Sequence, residues 1–148
     1  AFAVFFKGRN NVAFFPYALK MLKQLSEKYT LFALTNGNAD VEQVGIDKYL
    51  AGAVSSADVG ASKPSPRMFE AVLDMANIEA HQAIHVGDHL VDDIQGAHEA
   101  GMHTLWVNLS QQAYTDENTR ANIEVNSLSD LPLAIESYQQ SLSTLLAK

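Results

Sequence analysis

Short apolar runs that end in polar turns alternate along the chain with stretches whose apolar residues recur at helical spacing. Pro16 opens PYALKMLKQLSEKY, which sets Leu19, Leu22 and Leu25 on one face and lysines on the other, and predicts a surface helix with proline in its first turn. The run 30–34 is too short for a helix and ends in Thr35-Asn36-Gly37-Asn38, so it predicts a strand and a turn. Further strands are predicted at 53–56, at 83–86 before Gly87, at 104–107 around Trp106, and at an edge, 123–125. Helical periodicity is weak over 40–49. It is clearer over 67–76, where Met68 or Phe69, Val72, and Met75 or Ala76 form a stripe, and again at Ile94, Ala97 and His98. Ser129-Asp130-Leu131-Pro132 resembles a capped start for a last amphipathic helix, 133–146. The opening AFAVFF reads as a helix end with Phe2, Phe5 and Phe6 on one face, stopped by Gly8-Arg9-Asn10-Asn11.

Strand and helix in alternation predict an α/β, doubly wound, mostly parallel sheet with helices on both faces. Ligands of such sheets bind outside the carboxyl ends of the strands. Three polar clusters, at 35–38, 62–64 and 87–93, each follow a strand candidate, which draws them to one site.

With 148 residues, 47% hydrophobic and 18% charged, the chain fits one globular domain with a real core. A net charge of −7 argues against a nucleic-acid partner or an anionic membrane surface, and an anionic small substrate would need a local metal or lysine to hold it. No cysteine is present, so disulfides, thiolate zinc sites and catalytic thiols are excluded, and a cytoplasmic setting is expected. No apolar run approaches the roughly 20 residues that span a bilayer.

Asp88, Asp92 and Asp93 carry the strongest chemical signal. Crowded where a strand ends and a helix begins, they would repel one another without a cation, and hard oxygen donors at this density suit Mg²⁺. First-turn charges on a helix dipole account for Asp92 equally well. Thr35 and Asn36 offer a hydroxyl, an amide and backbone N–H groups suited to phosphate oxygens, although an ordinary turn uses the same residues. Lys63, held on a stiff loop by Pro64 and Pro66, adds a point charge that can bind phosphate or offset carboxylates. His85 and His89 bracket the turn without a third convergent ligand and make a poor zinc site. His98 and His103 carry no motif.

Thr35-Asn36-Gly37, Lys63-Pro64-Ser65-Pro66 with Phe69, and Gly87-Asp88 followed by Asp93-Ile94-Gln95-Gly96-Ala97 and Gly101-Met102 resemble, in order and spacing, the second, third and fourth motifs of the haloacid dehalogenase superfamily of phosphatases. The Asn36-Gly37-Asn38 turn and the Arg9–Val12 entry are similar to the flavin-mononucleotide and sugar-phosphate phosphatase group within it. The resemblance implies that Thr35, Asn36 and Lys63 hold the phosphoryl group, and that Lys63 also balances charge beside the nucleophile. It implies that Asp88 binds Mg²⁺ and that Asp93, with Asp92 as the alternative, binds the ion or orients its waters. In such enzymes an aspartate attacks phosphate and the aspartyl-phosphate is hydrolysed.

The family's first motif, a strand ending in Asp-x-Asp-x-Thr or Asp-x-Asp-x-Val, has no counterpart in the chain. Residues 1–15 are therefore expected to be the end of a helical cap and its return linker, and 16–148 the C-terminal part of the phosphatase core of a longer protein. The central strand of the sheet is expected to be missing, which would favour strand exchange or a homo-oligomer. The expected function is phosphate-ester hydrolysis on a small phosphorylated metabolite by the parent protein, with this chain inactive alone. The alternatives are a non-catalytic phosphate- or metal-binding domain and, behind it, a dehalogenase.

Overall fold

The computed structural model describes residues 3–7, 18–35, 49–55, 60, 66–114 and 120–147. Its strands are β1 (Ala3–Lys7), β2 (Thr30–Thr35), β3 (Gly52–Ser55), β4 (Ala83–Gly87), β5 (His103–Val107) and β6 (Ile123–Val125). They form one sheet in the order β3-β2-β1-β4-β5-β6, and all neighbours are parallel. The helices are α1 (Ala18–Ser26), α2 (Pro66–Ala76), the short α3 (Gly96–Glu99) and α4 (Leu131–Ala147). The doubly wound parallel sheet expected from the pattern is present.

The two faces of the sheet bury separate cores, as alternating side chains require. Val4, Leu31, Ile84, Val86 and Leu105 pack on one face with Met21, Leu22 and Leu25 of α1 and Leu131 and Ile135 of α4. Ala3, Phe5, Phe32, Leu34 and Val54 pack on the other with Met68, Phe69 and Val72 of α2 and Ala97 of α3. Pro66 begins α2 as its ring geometry favours, whereas Met75, which could have joined the stripe, is 50% exposed. The last helix is entered through a 3₁₀ turn, Leu128–Asp130. Ser127, rather than Ser129, supplies the capping oxygen. Residues 40–48 of the weakly periodic stretch 40–49, and the hinge at 8–11, lie outside the described residues.

The aromatic opening run differs from its expected helical form. It is β1, between β2 and β4, where Val4 faces one core and Ala3 and Phe5 the other. A short run apolar at every position suits a strand covered on both faces as well as it suits a helix end. The centre of the sheet is thus closed from within the chain, by a strand that carries no carboxylate.

At the opposite, amino-terminal ends of the strands, His103 ties β5 to α4. Its Nε2 lies 3.0 Å from the His81 carbonyl and its Nδ1 2.7 Å from the Tyr138 hydroxyl. A carbonyl can only accept, so Nε2 carries the hydrogen, and in the neutral ring Nδ1 accepts from Tyr138. Burial, above all, lowers the His103 pKa, against the raising effect of the His81 carbonyl. The unfolded chain then takes up the proton first. The resulting stability is present above the ordinary histidine value of about 6.5 and lost as pH falls toward the lowered folded value. Urea midpoints of the wild type should therefore fall more between pH 7.5 and pH 5.5 than those of His103→Gln; equal slopes would contradict it.

Candidate active site

The chain runs outward from β1 through β2 to β3, then returns to the other side of β1 for β4, β5 and β6. That reversal leaves a crevice at the carboxyl ends of β1 and β4, where α/β sheets of this strand order bind ligands. Phe6 pairs with Ala33 on one side and Val86 on the other. Thr35 and Asp88 each lie two residues beyond those partners, so their backbones sit level across the end of β1. Two strand spacings separate them, roughly 10 Å.

Beyond β4 the chain makes a π-helical turn, Leu90–Gln95, before α3. The His89 carbonyl accepts from the N–H groups of both Asp93, at 2.9 Å, and Ile94, at 3.2 Å. The widened turn carries the Asp93 side chain back over Gly87, where a Cβ would overlap the Asp93 Cβ and carboxylate. Asp93 and His85 are both fully buried. One Asp93 oxygen lies 3.1 Å from His85 Nε2, and the other accepts the His89 N–H at 3.2 Å. The His85 ring is set edge-on to Phe69 of α2 at 5.2 Å.

From β5 the Trp106 indole N–H donates to the Asp88 carbonyl at 3.1 Å. Trp106 is itself buried and lies against Tyr114, over whose ring the Arg120 guanidinium sits 4.7 Å from the centre. Burial, chiefly, raises the Tyr114 phenol pKa, so the hydroxyl is neutral at ordinary pH. The buried Asn108 fastens the same loop, with its amide nitrogen on the Gln112 carbonyl and Glu124 and its amide oxygen on the Gln112 N–H.

Of the residues singled out in the sequence, Asp88 is exposed at the reversal, and Thr35 closes β2 at the same level. Asp92 is partly exposed and donates its backbone N–H to His89 Nδ1 at 3.1 Å. Asn36 and Lys63 lie outside the described residues. His98 is exposed on α3. The sequence places Trp106 only within a strand and His85 only beside the turn as a poor zinc ligand; their polar atoms bear on the turn. Single polar atoms on apolar strands leave no periodic signal, so the pattern could not reveal them.

Among the described residues no group of three histidine, aspartate or glutamate side chains converges as a closed metal cage. The donors at the reversal are carboxylate oxygens, and Mg²⁺ characteristically uses one or two carboxylates together with waters and substrate phosphate oxygens. Asp88 fits that mode. No acidic residue precedes Glu27, so β1 itself carries no carboxylate nucleophile.

A model of haloacid dehalogenase-like hydrolases matches residues 2–101. The chain belongs to that family. Among curated relatives it is 37% identical over 86 residues, 58% of its length, to the 5-amino-6-(5-phospho-D-ribitylamino)uracil phosphatase YigB of Escherichia coli. It is 36% identical over 97 residues, 62% of its length, to the glyceraldehyde 3-phosphate phosphatase of Pyrococcus abyssi. It spans 36% and 41% of those two proteins. Among solved structures, a 2-haloacid dehalogenase from Pseudomonas syringae superposes with a TM-score of 0.81 at 39% identity, over 84% of this chain and 54% of that one. A haloacid dehalogenase family phosphatase from Thermococcus onnurineus gives 0.75 at 26% identity, over 82% and 57%. The family membership and the parallel fold suggested by the motifs are thereby established. No helix among the described residues is long and apolar enough to cross a membrane.

The close approach of Asp93 to Gly87 makes a simple demand on the sequence of this hydrolase turn. Gly87→Ala should lower stability by about 1–3 kcal/mol through overpacking, read as a lower urea midpoint. A wild-type midpoint would mean that the Asp93 side chain yields without cost.

Proposed function

We propose that the chain is the C-terminal part of a Mg²⁺-dependent phosphatase that cleaves a small phosphorylated metabolite through an aspartyl-phosphate. The observation that carries this reading is the placement of Asp88 beside the sheet reversal, level with the end of β2 at Thr35. The phosphatases of Escherichia coli and Pyrococcus abyssi support it as relatives. In this reading Thr35 and Asn36 hold the phosphoryl oxygens, and Lys63 neutralises charge beside the nucleophile. Asp88 is the carboxylate ligand of the cation, and Asp93, in preference to Asp92, supports it. Bound Mg²⁺ would polarise the phosphoryl group and neutralise charge developing on its oxygens.

The attacking carboxylate belongs to an Asp-x-Asp strand of the parent protein, which in the active form takes the central place between β2 and β4 that β1 holds in this chain. Its oxygen forms a bond to phosphorus as the bond from phosphorus to the ester oxygen breaks, and that leaving oxygen takes a proton from the second aspartate of the same strand. Water then cleaves the acyl phosphate, releasing inorganic phosphate and restoring the carboxylate. An exposed carboxylate at the reversal favours this metal-assisted chemistry over halide displacement, although a dehalogenase is among the similar structures. The absence of any carboxylate on β1 favours a second reading for the isolated chain, a phosphate- or metal-binding domain without turnover.

An assay of phosphate release from an aryl phosphate with Mg²⁺ tests the proposal. The chain alone should be inactive, and a form extended upstream through an Asp-x-Asp strand should turn over. In the extended form Asp88→Asn should lower kcat by about 10²–10³, the usual cost of losing one charge-stabilising group. Turnover by the pure chain would sink the nucleophile argument, and an Asp88→Asn enzyme with unchanged Mg²⁺ dependence would sink the cation assignment.

A further inference from the structure

The carbonyl of Asp88 and the N–H of His89 belong to one peptide group, and each is bound by a different side chain. Trp106 Nε1–H donates to the carbonyl at 3.1 Å, and Asp93 Oδ2 accepts the N–H at 3.2 Å. Neither side chain is free to drift, because Trp106 is buried against Tyr114, and Asp93 is buried against His85. A peptide plane held at both its polar ends cannot rotate about the bonds that flank it, so the Cα–Cβ bond of Asp88 is aimed in one direction.

We propose that Trp106, Asp93 and His85 are positioning residues that clamp the 88–89 peptide and thereby present the Asp88 carboxylate to a divalent cation. The inference rests on the proposed function only for the cation; the clamp itself stands on the hydrogen bonds. Asp93 acts from behind the turn, through the backbone, with both carboxylate oxygens engaged by His85 and His89. His85 contributes by satisfying a carboxylate that would otherwise be costly at zero exposure. Trp106 is the only tryptophan, so its indole N–H gives one unambiguous NMR signal.

The test measures backbone and indole hydrogen exchange and Mg²⁺ affinity, by NMR and calorimetry, on the full chain and its variants. In the wild type the His89 amide and the Trp106 indole N–H should both be protected. Trp106→Phe keeps most of the ring but removes the donor; it should speed His89 exchange and weaken Mg²⁺ binding about fivefold, the typical worth of one hydrogen bond. Asp93→Asn should do the same, and the double variant should be less than additive. His85→Gln, which can still donate to Asp93, should keep more affinity than His85→Leu. Val125→Ala, an edge-strand cavity, should lower the urea midpoint without changing Mg²⁺ affinity, which separates positioning from general destabilisation.

A folded Trp106→Phe with wild-type His89 protection and Mg²⁺ affinity overturns the proposal. So does weakened Mg²⁺ binding in Asp93→Asn when Trp106→Phe binds Mg²⁺ as the wild type does, which would make Asp93 a ligand in its own right. If Trp106→Phe does not fold, an unprotected indole N–H in the wild type overturns it equally. A wild-type chain that binds no Mg²⁺ removes the cation reading, while protection of His89 still decides whether the clamp exists.

Discussion

A carboxylate with no exposure to solvent is tolerated only where hydrogen bonds replace the water it has lost. Asp93 is such a group, and the arrangement around the reversal follows from satisfying it. Its partners are a ring from β4, His85, and a backbone N–H from the turn, His89. Bringing the side chain that close to β4 leaves no room for a Cβ at position 87, so glycine there is a packing requirement. The same contact sets where the strand stops and which way the following carboxylate, Asp88, leaves it.

The second constraint is the direction of the sheet. All six strands among the described residues are parallel, so their ends that can carry a polar group toward the crevice lie on one edge. The reversal at β1 makes that edge concave between β1 and β4, and Asp88 stands there. The central strand contributes apolar residues and Lys7 but no acid, so the edge can recruit a cation or a phosphate more readily than it can attack one. With a net charge of −7, the molecule as a whole repels a phosphate ester. Binding such a substrate therefore depends on positive charge concentrated locally, which is the part proposed for the cation and Lys63.

Much of the fold was legible because parallel strands buried on both faces appear as short unbroken apolar runs, and helices as one-sided stripes. Thr30–Thr35, Ala83–Gly87, His103–Val107 and Ile123–Val125 lie within a residue or so of their expected places. The opening run Ala3–Lys7 was misread because an apolar stretch with no alternation has no period to report. Its assignment is decided by β2 and β4, which are remote in sequence and supply its hydrogen bonds. Acids at the reversal were legible as a doublet and a neighbour. The bonds of His85 and Trp106 were not, because hydropathy records how apolar a residue is and not where its one polar atom points.

The aspartate doublet shows how local geometry resolves what spacing leaves open. With His89 as N-cap, Asp92 occupies the third helical position, the one whose side chain returns to the N-cap N–H in an ordinary α-helix. Here the returning side chain is Asp93, one residue later. The π turn accounts for the shift: the His89 carbonyl accepts from Ile94 as well as Asp93, so the first turn holds an extra residue and the inward position moves from 92 to 93. Asp92 is left at the surface, its backbone N–H capped by the His89 ring. One added residue in a turn thus divides two adjacent, chemically identical side chains into a buried brace and a surface charge, a division that no count of acids along the chain could have made.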